Sequence, residues 1–300
     1  MRNHWKKITV SLCTVFISLL VLTIGVHAAS FVTYRWSDEP AVKAGNAWFR
    51  SIFDYDEETE SSSIRIEMSR ESAKKGFAPI LTGEGLDGDF ITDGTTLYFH
   101  ESNTLKMYSI KSKKISTVKK LKASAGIYYN FHGYFNKKIW LLGRSEKFGA
   151  PVLYSYKPKT KKFKTEKKNF LCFNAAATSR YLVICEGKTK LKTAAGATYG
   201  LKVYDKNTGK KKLLTKKGIF CAYASGGGGS FYESMGKCTV YGEYNKAKKV
   251  WQIKEYKFSK KKTYVLKSLK KNEKLMGLMW MGSSVRYSLS GDKTGTVKMK

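Results

Sequence analysis

Leu201-Lys-Val-Tyr204-Asp-Lys-Asn-Thr-Gly209-Lys-Lys-Lys-Leu213 decides the fold of this chain. Apolar and polar residues alternate up to Tyr204, a short polar turn follows at Asn207-Thr208-Gly209, and alternation resumes beyond it. Alternation with a period of two puts successive side chains on opposite faces, so the stretch reads as a hairpin of two half-buried strands. Three other stretches share its layout: Leu105-Lys-Met-Tyr108-Ser-Ile110-Lys-Ser-Lys-Lys114-Ile115, Val152-Leu-Tyr154-Ser-Tyr156-Lys-Pro-Lys-Thr-Lys-Lys162-Phe163, and Ile253-Lys-Glu-Tyr256-Lys-Phe258-Ser-Lys-Lys-Lys-Thr-Tyr264. With Tyr108, Tyr154, Tyr204 and Tyr256 as anchors, the intervals are 46, 50 and 52 residues.

Upstream of each hairpin stands a second pair of short apolar runs. Asp89-Phe-Ile-Thr-Asp-Gly94 leads into Leu97-Tyr-Phe-His100, and Tyr128-Tyr-Asn-Phe131 into Ile139-Trp-Leu-Leu142. Leu171-Cys-Phe173 precedes Tyr181-Leu-Val-Ile184, and Ile219-Phe-Cys-Ala-Tyr223 precedes Cys238-Thr-Val-Tyr241. Each repeat therefore holds about four strands in about 40 to 50 residues, the size of one propeller blade. The expected fold class is all-β, a β-propeller of four-stranded antiparallel blades. Boundaries at 87–121, 124–168, 170–217, 218–269 and 273–300 make five blades, with six or seven as alternatives, a sixth being built from 46–81. The last repeat supplies three strands, and the alternating Ser63-Ile-Arg-Ile-Glu-Met68 is expected to complete it by pairing near Thr296 and Met299. Such closure removes an open sheet edge.

Over about residues 87–300 the chain resembles secreted bacterial β-propeller repeat proteins, the TolB-like and uncharacterised propellers whose blades end in a Leu-x-x-Tyr-x-x-x-Thr-Gly-Lys style hairpin. Leu201-Lys-Val-Tyr204-Asp-Lys-Asn-Thr-Gly-Lys210 carries the resemblance. It implies an architecture rather than an activity.

Residues 1–7 include Arg2, Lys6 and Lys7, an uncharged and mostly apolar stretch covers 8–26, and Val26-His27-Ala28 offers small or branched residues where a signal peptidase reads. Residues 1–28 are thus expected to be a secretory signal cut after Ala28, or an uncleaved anchor. Both place the rest of the chain on the extracytoplasmic face of the envelope or outside the cell. Residues 29–86 form an acidic N-terminal segment, part of it closing the propeller, and 87–300 the propeller domain.

The 300 residues carry 56 Lys+Arg against 23 Asp+Glu, and only eight of the bases are Arg. Residues 29–89 hold seven bases and twelve acids, a net of −5, whereas 90–300 hold 46 and 11, a net of +35. The acids of Asp54-Tyr-Asp-Glu-Glu58 and Glu60 read as a solvated linker or as a strip shielding the basic body. The lysines gather at the turn before the outermost strand of each repeat: Lys111, Lys113 and Lys114; Lys159, Lys161 and Lys162; Lys210, Lys211 and Lys212; Lys260, Lys261 and Lys262. Lys on an edge strand blocks sheet-to-sheet aggregation. A charge this large exceeds what solubility needs, which sets an anionic polymer held on a positive rim beside edge protection as a reading of equal weight. Lys is a mobile point charge without the rigid fork of Arg, so the partner is an anionic cell-wall or host polymer recognised with little sequence preference. An envelope protein is the other partner class. Sequence-specific nucleic acid is not expected, membrane contact is confined to an uncleaved N-terminal segment, and the chain is expected to be a monomer.

No HExxH, GxSxG, GxxxxGK[ST] or GxGxxG occurs. His100 and His132 are read as structural, and no metal and no cofactor is expected. Cys172, Cys185, Cys221 and Cys238 read as small buried thiols or as disulfides. Gly226-Gly-Gly-Gly-Ser230 reads as a flexible loop, and Ser290-Gly-Asp292-Lys-Thr-Gly295-Thr-Val297 as a blade turn. The resulting expectation is a non-catalytic exported propeller. The alternatives are a glycosidase- or lyase-like enzyme with its site at the propeller axis, marked by paired carboxylates or converging His100 and His132, and an envelope scaffold.

Overall fold

The computed structural model describes residues 31–34, 41–83, 85–121, 127–145, 152–168, 170–175, 180–186, 196–223 and 237–300. The leader expected over 1–28 and the glycine run at 226–230 lie outside them. No helix among the described residues is long and apolar enough to cross a membrane, and the helical content is one 3-10 turn, Pro158–Thr160.

The chain is all-β, in successive antiparallel sheets. β1 (Val32–Tyr34) is followed by a four-stranded sheet of β2 (Val42–Ala44), β3 (Ala47–Asp56), β4 (Ser61–Ser69) and β5 (Ala78–Gly83). A second sheet holds β6 (Leu86–Thr92), β7 (Thr96–Glu101), β8 (Thr104–Ser109) and β9 (Lys114–Lys120), with β1 added beside β6. The third comprises β10 (Ile127–Phe135), β11 (Lys138–Ser145), β12 (Val152–Lys157) and β13 (Lys162–Lys168). The fourth takes β14 (Phe170–Ala175), β15 (Tyr181–Glu186), β16 (Tyr199–Asp205) and the first half of β17 (Lys211–Tyr223). The second half of β17 carries the same hydrogen-bonded ladder on into β18 (Cys238–Asn245), β19 (Val250–Lys257) and β20 (Lys262–Ser268), and β21 (Leu275–Met281), β22 (Ser284–Leu289) and β23 (Thr294–Lys298) join it through β17. This is the four-stranded antiparallel architecture of a β-propeller.

Gly218 is where β17 changes partner, pairing with Tyr199 on one side and Glu243 on the other. A Cβ there would stand 2.5 Å from the Thr215 methyl and 3.1 Å from the Gly242 carbonyl, so only glycine lets the two ladders meet. Past the crossing, Cys221 to Tyr223 run parallel to Leu278 to Trp280 of β21, first strand beside first strand.

The repeat is built on a Leu-x-x-Tyr spacing. Leu105 and Tyr108, Leu153 and Tyr156, Leu201 and Tyr204, and Ile253 and Tyr256 are all at most 6% exposed. Three residues is an odd step along a strand, so the two side chains leave on opposite faces. Tyr108 packs with Phe49 and Ile66 of the preceding sheet, while Leu105 packs with Phe131, Ile139 and Tyr156 of the following one. Leu153 then meets Tyr204, and Leu201 meets Tyr256. Each unit that carries this pair is therefore buried on both faces between its neighbours, while β2–β5 and β21–β23 pack through one face, and the core is a series of layers between sheets. At every one of these positions the outer strand carries a bulge just after the Leu or Ile, skipping Val118, Glu166, Leu214 and Leu266 in turn. Ile80 is skipped in the same way opposite Ile66 and Glu67.

Two expectations are corrected. The equivalent tyrosine of the second hairpin is Tyr156, not Tyr154: Tyr108, Tyr156, Tyr204 and Tyr256 each pair with the residue seven positions on, across the turn. The true intervals are 48, 48 and 52. Tyr154 and Tyr156 lie on one face, so alternation does not tell them apart, but the turn does. The second correction concerns closure. Residues 63–68 do not pair with 296–299, because β4 already has β3 on one edge and β5 on the other, while β23 pairs with β22. Residues 42–83, weighed in part as a sixth unit, form a sheet of their own.

Tyr156→Ala is expected to lower unfolding stability by about 3–5 kcal/mol, the range for emptying a buried aromatic site. Tyr154→Ala, at a partly exposed position, should lower it by less than half as much. Denaturant midpoints of the two variants check the assignment, and equal losses would refute it.

Candidate functional site

The lysine clusters owe their placement to the Tyr pairing just described. Because the ladder partner lies seven residues on, each hairpin closes through a four-residue turn, at 110–113, 158–161, 206–209 and 258–261. The fourth turn residue is left-handed in every case: Lys113 (φ 53°), Lys161 (φ 53°), Gly209 (φ 72°) and Lys261 (φ 50°). Glycine takes this conformation freely, whereas a side chain there costs about 1 kcal/mol. Lys111, Lys113, Lys114, Lys159, Lys161, Lys162, Lys210, Lys211, Lys212, Lys260, Lys261 and Lys262 are all exposed. Lys157 faces Lys162 across its ladder and Lys257 faces Lys262, like charges that oppose pairing by a few tenths of a kcal/mol to about 1 kcal/mol. Turn chemistry and strand pairing alone favour neither choice.

The third and fourth clusters are joined directly. Lys212 Nζ donates to the Lys261 carbonyl at 3.0 Å and lies over the Tyr256 ring, 4.7 Å from its centroid. Asn136 donates to Asn207 at 2.8 Å, which brings the β10–β11 turn and its exposed Lys137 beside the third cluster. The first and second clusters hold the same hairpin position, each on its own sheet. The sequence reading missed Lys137, and it missed the lysines at the far ends of the outermost strands: Lys119 and Lys120, Lys167 and Lys168, Lys216 and Lys217, and Lys267. Their signal is a Lys at both ends of each such run. Seven strand residues span about 20 Å, so the positive surface runs from each hairpin along the whole outer edge.

Glu166 interrupts this surface. It occupies the bulge position that is Val118, Leu214 and Leu266 elsewhere, and it accepts bonds from Ser155 Oγ (2.7 Å), Lys138 Nζ (2.9 Å) and Lys164 Nζ (2.9 Å). Burial pushes its carboxyl up, but the bonds from Lys164, Ser155 and Lys138 outweigh that and hold it at about 2. Two lysines are thereby withdrawn from the surface field.

A second constellation lies on the first strand of the second sheet. The β6–β7 ladder is interrupted between Leu86 and Phe90, and β1 covers only Phe90 to Thr92. Asp87, Gly88 and Asp89 stand in that interruption. Ser51 Oγ of β3 donates to the Gly88 carbonyl at 2.6 Å, and the Asp89 N–H donates to Asp87 Oδ1 at 3.2 Å. Burial, with the charge of Asp89 adding to it, pushes the Asp87 carboxyl up to about 6. Paired carboxylates were one of the marks set above for an axial enzyme site; the sequence hides this pair because Asp87 precedes the alternating run.

His100 is buried, stacks on Phe131 at 4.8 Å, and is pushed by burial down to about 3, so it is neutral near pH 7; His132 is buried as well. Cys185, Cys221 and Cys238 are buried, and burial pushes the thiols of Cys221 and Cys238 up. No group of three or more His, Cys, Asp or Glu among the described residues is arranged to hold a metal. The stretch 290–293 is the β22–β23 turn, with Gly291 and Asp292 left-handed.

No family model matches the sequence, and no curated protein matches it. Solved structures are similar to it, among them an oligogalacturonate lyase in complex with manganese, at 10% identity over 84% of this chain and 82% of that one with a TM-score of 0.42. The acylaminoacyl peptidase of Pyrococcus horikoshii is 9% identical over 87% of this chain and 45% of that one, with a TM-score of 0.43, so this chain spans less than half of it. The β-propeller domain of the Trilobed protease from Pyrococcus furiosus is 8% identical over 89% of this chain and 80% of that one, with a TM-score of 0.42. The likeness is one of architecture. It nevertheless corrects the expectation that the chain is not an enzyme, since a lyase and a peptidase stand among these neighbours.

Proposed function

We propose that the chain acts outside the cytoplasm by holding an extended anionic polymer on its lysine hairpins. The observation that carries this reading is the left-handed lysine of Lys113, Lys161 and Lys261, where glycine is the easier residue and Gly209 shows that the fold accepts it. Residues that break a local rule are expected where function needs them. Repetition supplies the rest: four clusters in equivalent hairpins let contacts of about 1 kcal/mol or less each add as linked events. Long flexible lysines suit a polymer whose charges recur without fixed geometry.

A second reading is favoured by Asp87 and Asp89. A carboxyl titrating near pH 6 beside an ionised one is suited to general acid–base work, so the same lysines would hold a polymer that is cut at the first strands of the sheets.

The polymer reading predicts opposite effects on stability and binding. The triple variant Lys113→Gly, Lys161→Gly, Lys261→Gly should unfold at higher denaturant, by up to about 1 kcal/mol per site, yet elute from an immobilised sulfated polysaccharide at lower salt. Retention of the natural chain should also collapse as ionic strength rises, since the Debye length falls from about 10 Å at 0.1 M to about 3 Å at 1 M. Unchanged elution in the triple variant and in Lys210→Gln, Lys211→Gln, Lys212→Gln would reduce the lysines to edge protection.

For Asp87 the sign is that of a raised carboxyl. Its proton favours the folded state, so the contribution is full below about pH 4 and is lost as pH rises through about 6. Asp87→Asn should therefore raise stability at pH 7–8 by on the order of 1–3 kcal/mol and flatten the profile between those limits. The enzyme reading adds that the same variant loses about 100-fold or more of any depolymerising activity on an anionic polysaccharide. Absence of activity in the natural chain across such substrates would leave Asp87 a structural group.

A further inference from the structure

The β3–β4 hairpin is longer than the sheet that contains it. β2 pairs only with Ala47 to Phe49, and the β4–β5 ladder ends at Ile64 opposite Gly83. β3 and β4 go on pairing through Asp54 with Ser63, Tyr55 with Ser62 and Asp56 with Ser61. Among the described residues this outer part is a two-stranded ribbon whose edges pair with no third strand.

One face of the ribbon continues the core. Phe49 is fully buried and Ser51 is bonded to Gly88, but Phe53 and Tyr55, next on the same face, are 44% and 57% exposed. The tip is acidic. Residues 53–63 contain Asp54, Asp56, Glu57, Glu58 and Glu60 and no basic residue. Asp54 is engaged by Arg65, and Asp56 Oδ1 caps the turn by accepting the N–H groups of Glu58 and Thr59, which leaves Glu57, Glu58 and Glu60 pointing outward from an exposed turn. These residues build a β-ribbon rather than a solvated linker.

We propose that this acidic ribbon docks on the lysine-edged outermost strand of a second copy of the chain. Charge complementarity selects that occupant. β9, β13 and β20 pair on one side only among the described residues, so each presents an open edge with lysines at both ends. On β9 and β20 apolar side chains stand exposed between them, Ile115 at 52% and Val265 at 41%. Two such edges repel each other through their lysines, and two ribbons repel through their acids. Ribbon against outer strand is the one pairing of these open edges that is attractive, and it lays Phe53 and Tyr55 beside Ile115 or Val265. Strand addition of this kind satisfies backbone groups that both edges leave open. The contact joins different surfaces of the two copies, as heterologous interfaces do. It needs only these two surfaces and does not rest on the polymer reading, although both would draw on the same lysines.

Sedimentation velocity on the full chain tests it, at several protein concentrations and at about 50 mM and about 500 mM NaCl, since screening weakens exposed charge pairs. The expected result is a weight-average mass that rises roughly twofold or more with concentration at low salt and returns to one chain at high salt. Glu57→Lys, Glu58→Lys, Glu60→Lys, and separately Phe53→Ser with Tyr55→Ser, should remain single chains at both salts with unchanged far-ultraviolet circular dichroism. A natural chain that stays single throughout overturns the proposal. So does association that survives in both folded variants, which would place the contact elsewhere.

Discussion

The four-stranded units from β6 to β20 are each buried on both faces, and the Leu-x-x-Tyr step, with Ile253 in place of Leu in the last, is what makes that arrangement hold. An odd interval along an extended strand sends Leu153 toward Tyr204 of the following sheet and Tyr156 toward Leu105 of the preceding one. None of these units has a solvent face on which to rest alone, whereas β21 turns Met279 and Met281 outward, 39% and 43% exposed. The burial of one sheet is completed by the next, and Trp140, Leu182 and Tyr241 take their places in layers already defined by these pairs. Stability is consequently shared among neighbours, and the hairpins at the ends of these strands are held in equivalent positions.

Face-to-face layering solves the problem of sheet faces and creates one of sheet edges. β9, β13 and β20 end their ladders with one side open, and lysine at both ends of each is the chain's answer to unwanted pairing. That answer alone does not account for Lys113, Lys161 and Lys261, which sit in a left-handed conformation that Gly209 fills without strain. Nor does it account for Lys157 facing Lys162. The surplus of positive charge at the turns is left over once folding and edge protection have been accounted for.

Two acidic residues, Glu166 and Asp87, stand in opposite environments. Glu166 stands where three other outer strands place Val or Leu, and it is kept ionised by two lysines and a serine. Asp87 is held back from ionising by burial and by its neighbour Asp89. A side-chain carboxyl thus serves as an internal counter-ion in one sheet and as a group titrating near pH 6 in another.

The sequence by itself determined the all-β class, the repeat of about fifty residues and the location of the twelve lysines at recurrent turns, because alternation, turn residues and charge runs are local properties that survive without coordinates. Local pattern went wrong where two choices look alike along the strand. Tyr154 and Tyr156 have the same parity, and only the ladder across the turn distinguishes them. Residues 63–68 alternate well enough to pair with any open edge, and only the presence of β3 and β5 on both sides decided their partners. Tertiary structure alone brought Lys212 to Lys261, set Asp87 beside Asp89 in an interrupted ladder, and carried the 53–63 ribbon beyond its sheet. Each of these depends on where one ladder ends and its neighbour continues, which is settled by the packing of whole sheets and leaves no periodic trace in the chain.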